Sequence, residues 1–519
     1  MNVPTSSNTY TSSMFLHPVN DDSLIKYINI LKNTNSTGED QIPVTLLKRC
    51  HVHLLKPLKH IINTIFSTAV VSESFKSATV IPIFKCGDPT NMTNYRPIAL
   101  ISNVAKIFEK ALKEQLESFL TKNNIISKNQ YGFQTGLSTV DAMYQLTSDI
   151  NDSLHNKNKC LTVFLDLQKA FDTVNHQRML NKLENIGIRG TPLELFKSYL
   201  SARNQTVKVN NQVSKKMRVA IGVPQGTVLA PLLFLIYIND LCNLNVGGKL
   251  TAFADDQAIS FSGHTWELVK NNAERGMDSV KSWLDNNYLS LNTSKTKFIN
   301  YSIYNKYAPV LNQIRAKTNF IESVDKIKYL GIIIDKNFKW QEHSLYLSKK
   351  IRKLITIFYR LRDILSKPLM MKVYNSLVES ILRYGLVIWG GTYDVYLKEV
   401  HKVVNYILRI VLKKQKTYPS LKLYKKLEIL NLYKLYALES ICFVHNKITY
   451  YSHINHNYQT RAKQNFNLRS NKYNNTQQQN FIDYLGPKFY NKIDNNIKII
   501  KNKKIFRRHA LKFLLLNEV

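Results

Sequence analysis

Acidic residues are scarce in this chain. Across 519 residues, 36 Asp and Glu stand against 72 Lys and Arg, a formal net charge of +36. Cysteine is scarcer still: five residues and no C-x-x-C pair, which excludes a disulfide framework and a four-cysteine zinc site. Long apolar runs are also missing. The longest, Val228 to Ile238, contains Pro231 and falls well short of the roughly 20 residues a membrane helix needs. The Met1 end is polar and rich in Asn, Ser and Thr, so no signal peptide is expected. There is no internal repeat. What is present is a 44% hydrophobic composition, enough for two to four domains with buried cores. A folded chain this basic points to a polyanionic partner, and nucleic acid is the commonest one.

The charge is uneven. From His401 to Val519 there are 23 Lys and Arg against 5 Asp and Glu, half the excess in under a quarter of the chain. Lys501, Lys503, Lys504, Arg507 and Arg508 form its densest part. This segment is expected to meet phosphate. Residues 1–40 read as a linker with one short helix. Apolar spacing predicts helices over 43–68, 104–120, 171–186, 351–365, 368–388 and 397–412. Thr191-Pro-Leu-Glu194 reads as a helix start with Thr191 as its cap. Strands are expected at 78–84 and 161–167, a hairpin around Asn210-Asn211, and two short strands joined at Asp255-Asp256. The glutamine-rich tract 474–480 reads as a loop.

Two carboxylate-bearing features share one chemistry. Phe164-Leu-Asp-Leu167 ends a buried strand, and Phe253-Ala-Asp-Asp256 sits at a hairpin tip about ninety residues on. Carboxylates leaving apolar strands are costly unless solvated, paired or holding a cation. Their clustering in so basic a protein suits a divalent ion bound by one or two carboxylates, water and phosphate. Two such ions clamp the attacking and leaving oxygens of a phosphoryl displacement. A rival set, Cys442, His445, His453 and His456, has zinc-like spacing, but Cys442 lies in an apolar helical run.

With Gly222-Val-Pro-Gln-Gly226 between them, these motifs resemble the reverse transcriptases of non-LTR (LINE-type) retrotransposons, the jockey-like group in particular. The resemblance extends to Val80-Ile-Pro-Ile-Phe-Lys85, Asn94-Tyr-Arg-Pro-Ile98, Gln130-Tyr-Gly-Phe133, Phe171-Asp-Thr-Val-Asn-His176, Leu289-Ser-Leu-Asn292, Tyr329-Leu-Gly331 and the tail motif His456 to Arg461. It covers about residues 35–519. It implies an α+β right-hand polymerase: an N-terminal extension over 1–69, fingers and a palm with an antiparallel sheet over 70–335, a helical thumb over 336–415, and a basic helical C-terminal region over 416–519.

What the family implies falls on particular residues. Asp166, Asp255 and Asp256 would be the catalytic carboxylates and the ligands of two Mg²⁺ ions, with Mn²⁺ as an alternative. Lys85 and Arg96 would meet the incoming triphosphate, and Phe171 would block a ribose 2′-hydroxyl. Gln225 and Gly226 would lie against the template base and the nucleotide. Lys295 or Lys297 could supply a proton to the leaving pyrophosphate, and Tyr329-Leu-Gly331 would be the primer grip. The implied reaction is RNA-directed DNA polymerisation, with an RNA template, a DNA primer or target, deoxynucleoside triphosphates and no membrane. Target-primed copying implies the nucleus, with a cytoplasmic ribonucleoprotein stage. The family's N-terminal endonuclease is not expected within this chain, a frame upstream of Met1 being left open, and no RNase H carboxylate set is apparent after the polymerase motifs. A decayed or domesticated element that binds RNA without catalysis is the alternative. Departures from the family are Gln134, Ala230, and Gln257 where threonine is usual.

Overall fold

A six-stranded sheet organises the molecule. The computed structural model describes residues 12–210, 212–301, 311–451, 467–470, 473 and 476–517. In spatial order the sheet runs Gln313–Ala316, Asn319–Ser323, Lys297–Tyr301, Lys159–Leu165, Asp256–Gly263 and Lys249–Phe253. Every pairing is antiparallel except that between 319–323 and 297–301. Successive side chains of a strand point to opposite faces, and here both faces are covered. Leu161, Val163, Leu165, Ile259 and Phe261 join one core, backed by the helices Ala230–Ile238 and Trp266–Asn286. Cys160, Phe164 and Ala258 join a second core on the other face, covered by the helix Thr139–His155.

A smaller sheet flanks the first. Its order is Tyr95–Leu100, Ser77–Phe84, Arg203–Val209 and Gln212–Val213, with Met217–Val219 also on 203–209. A two-stranded ribbon, Lys326–Tyr329 with Ile332–Asp335, leads into the helices that make up the rest of the described chain. Those helices share the second core with Thr139–His155. Tyr144 Oη donates to Asp483 Oδ1 at 2.7 Å, and Lys447 Nζ pairs with Asp141 at 2.6 Å. Among the described residues no helix is long and apolar enough to cross a membrane.

The mixed α/β content expected from the sequence is present, and several local expectations are corrected. Residues 12–31 are not a linker: Met14, Val19, Leu24 and Ile28 are buried in the first core around the helix Asp21–Ile30. The helix expected over 171–186 begins only at His176, capped by Asn175; Phe171 and Val174 lie in a turn bonded to Val223 and Gly222. Gly187, at φ +101°, does follow its end. Thr191 is the first helical residue rather than the cap, which is Gly190. The helix expected over 351–365 is two, Gln341–Arg352 and Ile355–Leu361, separated at Lys353-Leu354. The stretch 368–388 breaks at Tyr384-Gly385, where Gly385 has φ +60°. Within 474–480, Thr476–Gln479 is a helical turn rather than a loop. Asn211, His453 and the tail motif from His456 lie outside the described residues.

Candidate active site

Asp166 follows directly on the strand Lys159–Leu165, and neighbouring chain fixes its backbone. Its carbonyl accepts Asn292 N–H at 2.8 Å, and its own N–H donates to Thr296 Oγ1 at 3.2 Å. The next residue, Leu167, pairs with Leu291. Asp255 sits in the tight turn between strands whose last pair is Phe253 with Asp256. That turn requires Ala254 at φ +56°, an uncommon conformation for a residue with a Cβ. Gln130 sustains it: buried Oε1 accepts the N–H groups of Ala254 and Gly132, both at 2.8 Å. Tyr329 adds a second brace, its hydroxyl donating to the Asp256 carbonyl at 3.2 Å.

All nine site residues expected from the sequence line one open cleft of about 1550 Å³. Asp166, Asp255 and Asp256 form one part of it. Lys85 and Arg96 extend from the smaller sheet, and Phe171, Gln225, Gly226 and Lys295 complete the set. Lys297 does not line the cleft; its ammonium is paired with Glu322 at 2.7 Å. Phe171 is half-buried and stacked on Phe234, with ring centroids 4.3 Å apart. Gln225 is tied at both ends: its carbonyl accepts Ala99 N–H at 2.7 Å and its side chain donates to Asp172. Gly226, at φ +104°, would bring a Cβ to 3.2 Å from the Ala99 carbonyl oxygen.

The carboxylates repel one another across the cleft. Burial pushes the Asp255 carboxyl up; its own N–H opposes this, the Asp166 charge adds to it, and Arg96 and Lys85 pull it back. Asp256 meets cleft solvent, yet desolvation by the dense surroundings, then the charges of Asp255 and Asp166, raise it to about 6. Among the described residues, no group of three or more His, Cys, Asp or Glu side chains is placed to hold a metal ion. Two carboxylates facing one solvent-filled cleft still fit a hard divalent ion, which takes its other ligands from water and phosphate. The repulsion that Arg96 and Lys85 leave unbalanced is what such an ion would relieve. The zinc-like set finds no support: the His445 ring stacks on Phe506, and its nitrogens lie 3.3 Å from Tyr490 Oη and 2.9 Å from the Ile500 carbonyl.

Comparison with known proteins bears on the same residues. Residues 84–334 match the family described as reverse transcriptase (RNA-dependent DNA polymerase). That match spans 251 of the 519 residues. Similar proteins include those of the mobile elements BS and jockey. The chain is 29% identical over 393 residues to the "Probable RNA-directed DNA polymerase from transposon BS" of Drosophila melanogaster, covering 73% of this chain and 43% of that protein. It is 25% identical over 405 residues to the RNA-directed DNA polymerase from mobile element jockey of the same fly, covering 75% and 43%. The chain thus spans less than half the length of these relatives. A solved apo telomerase from Candida tropicalis aligns over 54% of this chain and 58% of its own at 15% identity, with a TM-score of 0.36, a likeness too slight to carry an argument.

Four residues of the matched segment and its surroundings escaped the sequence reading. Glu109 is a charged residue on the buried face of the helix Asn103–Lys122, the one sign of it in the sequence. Gln130 was visible as part of a motif but not as the brace of the aspartate turn. Asp172 followed the expected sugar gate without a role. Tyr384 carried no signal, because its partner Leu330 is 54 residues away. Gln257 is fully buried, and among the described residues neither end of its amide has a hydrogen-bond partner.

Proposed function

We propose that the chain is an RNA-directed DNA polymerase of a non-LTR retrotransposon, extending a DNA 3′-end on an RNA template and releasing pyrophosphate. The observation that carries this reading is the convergence of Asp166 and Asp255 with Lys85, Arg96, Phe171, Gln225 and Lys295 on a single cleft. In this reading the six-stranded sheet is the palm and the smaller sheet belongs to the fingers, together 70–335. Residues 336–415 are the thumb, and 416–519 a basic C-terminal region. Target-primed copying, and hence a nuclear stage, is part of the same proposal.

Asp166 and Asp255 would hold divalent metal, Mg²⁺ with Mn²⁺ as a substitute, and Asp256 would shape the field beside them. When bound, such ions stabilise the charge that develops on the attacking and leaving oxygens. The chain's own groups do the positioning. Arg96 offers a planar guanidinium and Lys85 a mobile ammonium to the triphosphate oxygens. Phe171, held by Phe234, presents a ring where a 2′-hydroxyl would collide. Gln225 and Gly226 lie beside the nascent base pair. Lys295 is the lysine on hand for the leaving pyrophosphate, since Lys297 is engaged by Glu322.

A primer-extension assay on an RNA template tests the proposal. Asp255→Ala and Asp166→Asn are expected to lower nucleotide addition by more than about a hundredfold. Chelation should stop the wild-type protein. Thermal melts should be unchanged or raised, because each variant relieves repulsion between like charges. Extension by the Asp255→Ala protein would overturn the site, and a wild-type protein that binds RNA but never extends would favour the non-catalytic alternative.

A further inference from the structure

Two selective elements of the cleft are joined. The turn Phe171–Val174 and the loop Gly222–Gln225, about fifty residues apart in sequence, are linked by three hydrogen bonds. Val223 N–H donates to the Phe171 carbonyl at 2.8 Å, Gly222 N–H to the Val174 carbonyl at 2.7 Å, and Gln225 Nε2 to Asp172 Oδ1 at 2.9 Å. The approach is so close that only glycine fits at 222. Its φ is +90°, and a Cβ there would stand 2.7 Å from the Asp172 carbonyl oxygen. His176 closes the far side, with Nε2 at 2.8 Å from the Gly222 carbonyl.

We infer that Asp172 is a positioning residue for nucleotide selection: its carboxylate captures the side-chain N–H of Gln225, fixing which end of that amide meets the nascent base pair, and couples it to the Phe171 sugar gate. The inference rests on the polymerase reading of the cleft. A glutamine amide has a donor end and an acceptor end of nearly the same shape. Turned by half a revolution, it would offer a base the opposite hydrogen-bonding pattern. An ionised carboxylate only accepts, so it holds the NH₂ group toward itself and leaves the oxygen for the cleft. A hydrogen bond to a charged acceptor biases one orientation by roughly tenfold to a hundredfold. Burial raises the Asp172 carboxyl above its ordinary value, and the bond from Gln225 and the charges of Lys169 and Lys85 offset part of that rise. Lys85 also faces Asp255, so the same ammonium senses both acids. Base recognition and sugar recognition are therefore set by one body rather than two.

The test uses the full chain as wild type, Asp172→Ala, Asp172→Asn, Gln225→Met, the Asp172→Ala/Gln225→Met double variant, and Phe171→Val for comparison. Single-nucleotide extension gives two ratios of kcat/KM: matched over mismatched deoxynucleotide, and deoxy- over ribonucleotide. Asp172→Ala should lower both by roughly tenfold or more, whereas Phe171→Val should lower only the sugar ratio. Asp172→Asn can turn its own amide to present either end, so it should lose most of the bias and fall toward the Ala variant, by at least about threefold. In the Gln225→Met background, Asp172→Ala should have no further effect. Unchanged ratios in Asp172→Ala, additive effects in the double variant, or an Asn variant indistinguishable from wild type would each overturn the inference; the last would show that an acceptor-only carboxylate is not what orients the Gln225 amide. Thermal melts of the four proteins of the cycle need no catalysis. If the wild-type protein extends nothing, the polymerase reading fails, while non-additive melts would still uphold the Asp172–Gln225 link and additive melts would sink it.

Discussion

Glu109 is a buried acid, 1% exposed. Its Oε1 accepts Tyr199 Oη–H at 2.6 Å and its Oε2 accepts Val228 N–H at 2.6 Å, just ahead of the helix Ala230–Ile238. It thus anchors the loop that carries Gln225 and Gly226. Burial raises its carboxyl above the ordinary value, while Tyr199, the charge of Arg203 and the N–H groups of Val228 and Leu229 oppose the rise. The sign follows. A folded-state value above the unfolded one means the folded protein holds this proton more tightly. The stabilisation is complete below the unfolded value and declines as pH climbs through the folded one. Glu109→Gln removes that decline, so its Tm should gain on wild type between pH 5 and pH 8. Glu109→Ala strands three donors, Tyr199 O–H and the N–H groups of Val228 and Leu229, and should lose roughly 2–5 kcal/mol at either pH. Equal pH slopes for wild type and Glu109→Gln, read from melts at both values, would refute the argument. The three aspartates were legible in the sequence because carboxylates at strand ends stand out against apolar neighbours. Glu109 was not, because its partners arrive from two distant elements.

At the scale of elements, the ribbon Lys326–Tyr329 with Ile332–Asp335 is held from two sides. Its turn has Leu330 at φ +44° and Gly331 at φ +82°. Tyr329 reaches the Asp256 carbonyl and packs against Phe164, ring centroids 5.2 Å apart. From the opposite side, Tyr384 Oη–H donates to the Leu330 carbonyl at 2.7 Å and lies 3.2 Å from Thr139 Oγ1. If Tyr329-Leu-Gly331 grips the primer, Tyr384 sets the position of that grip relative to Asp255. Tyr384→Phe removes one neutral hydrogen bond and should raise KM for primer by about three- to tenfold, leaving kcat and the nucleotide KM nearly unchanged. Steady-state titrations of primer and nucleotide check this, and a fall in kcat alone would contradict it. The long helices and both aspartate-bearing strands were legible because their apolar periodicity is sustained. Breaks inside helices were not. Lys353-Leu354 and Tyr384-Gly385 interrupt periodic apolar patterns, and the apolar Phe171 and Val174 mimic a helical face while serving a turn.

Across the whole molecule, the basic C-terminal charge and the second core are interleaved. Phe489, Tyr490 and Phe506 are buried in that core, and Arg507 pairs with Glu439. Removing residues beyond 450 would therefore open the core rather than only strip charge. Neutralising exposed Lys501, Lys503, Lys504 and Arg508 to Gln is the cleaner change. The slope of log K against log salt on single-stranded RNA should flatten by roughly 0.7 for each phosphate no longer neutralised, up to about 3 in all. Tm should hold, and an unchanged slope would show this charge to be solvated surface. Composition made the charge of this region plain, and the apolar Phe489 and Phe506 pointed to packing; its partners were not legible, since Asp483 meets Tyr144 across 339 residues. That separation has a consequence in time. A ribosome adding about 5–20 residues per second needs roughly 15–70 s to travel from one partner to the other. Throughout that interval the nascent helix Thr139–His155 lacks the surface that Asp483 supplies. A newborn chain of this design completes that side of its core only after its message has been read almost to the end of this stretch.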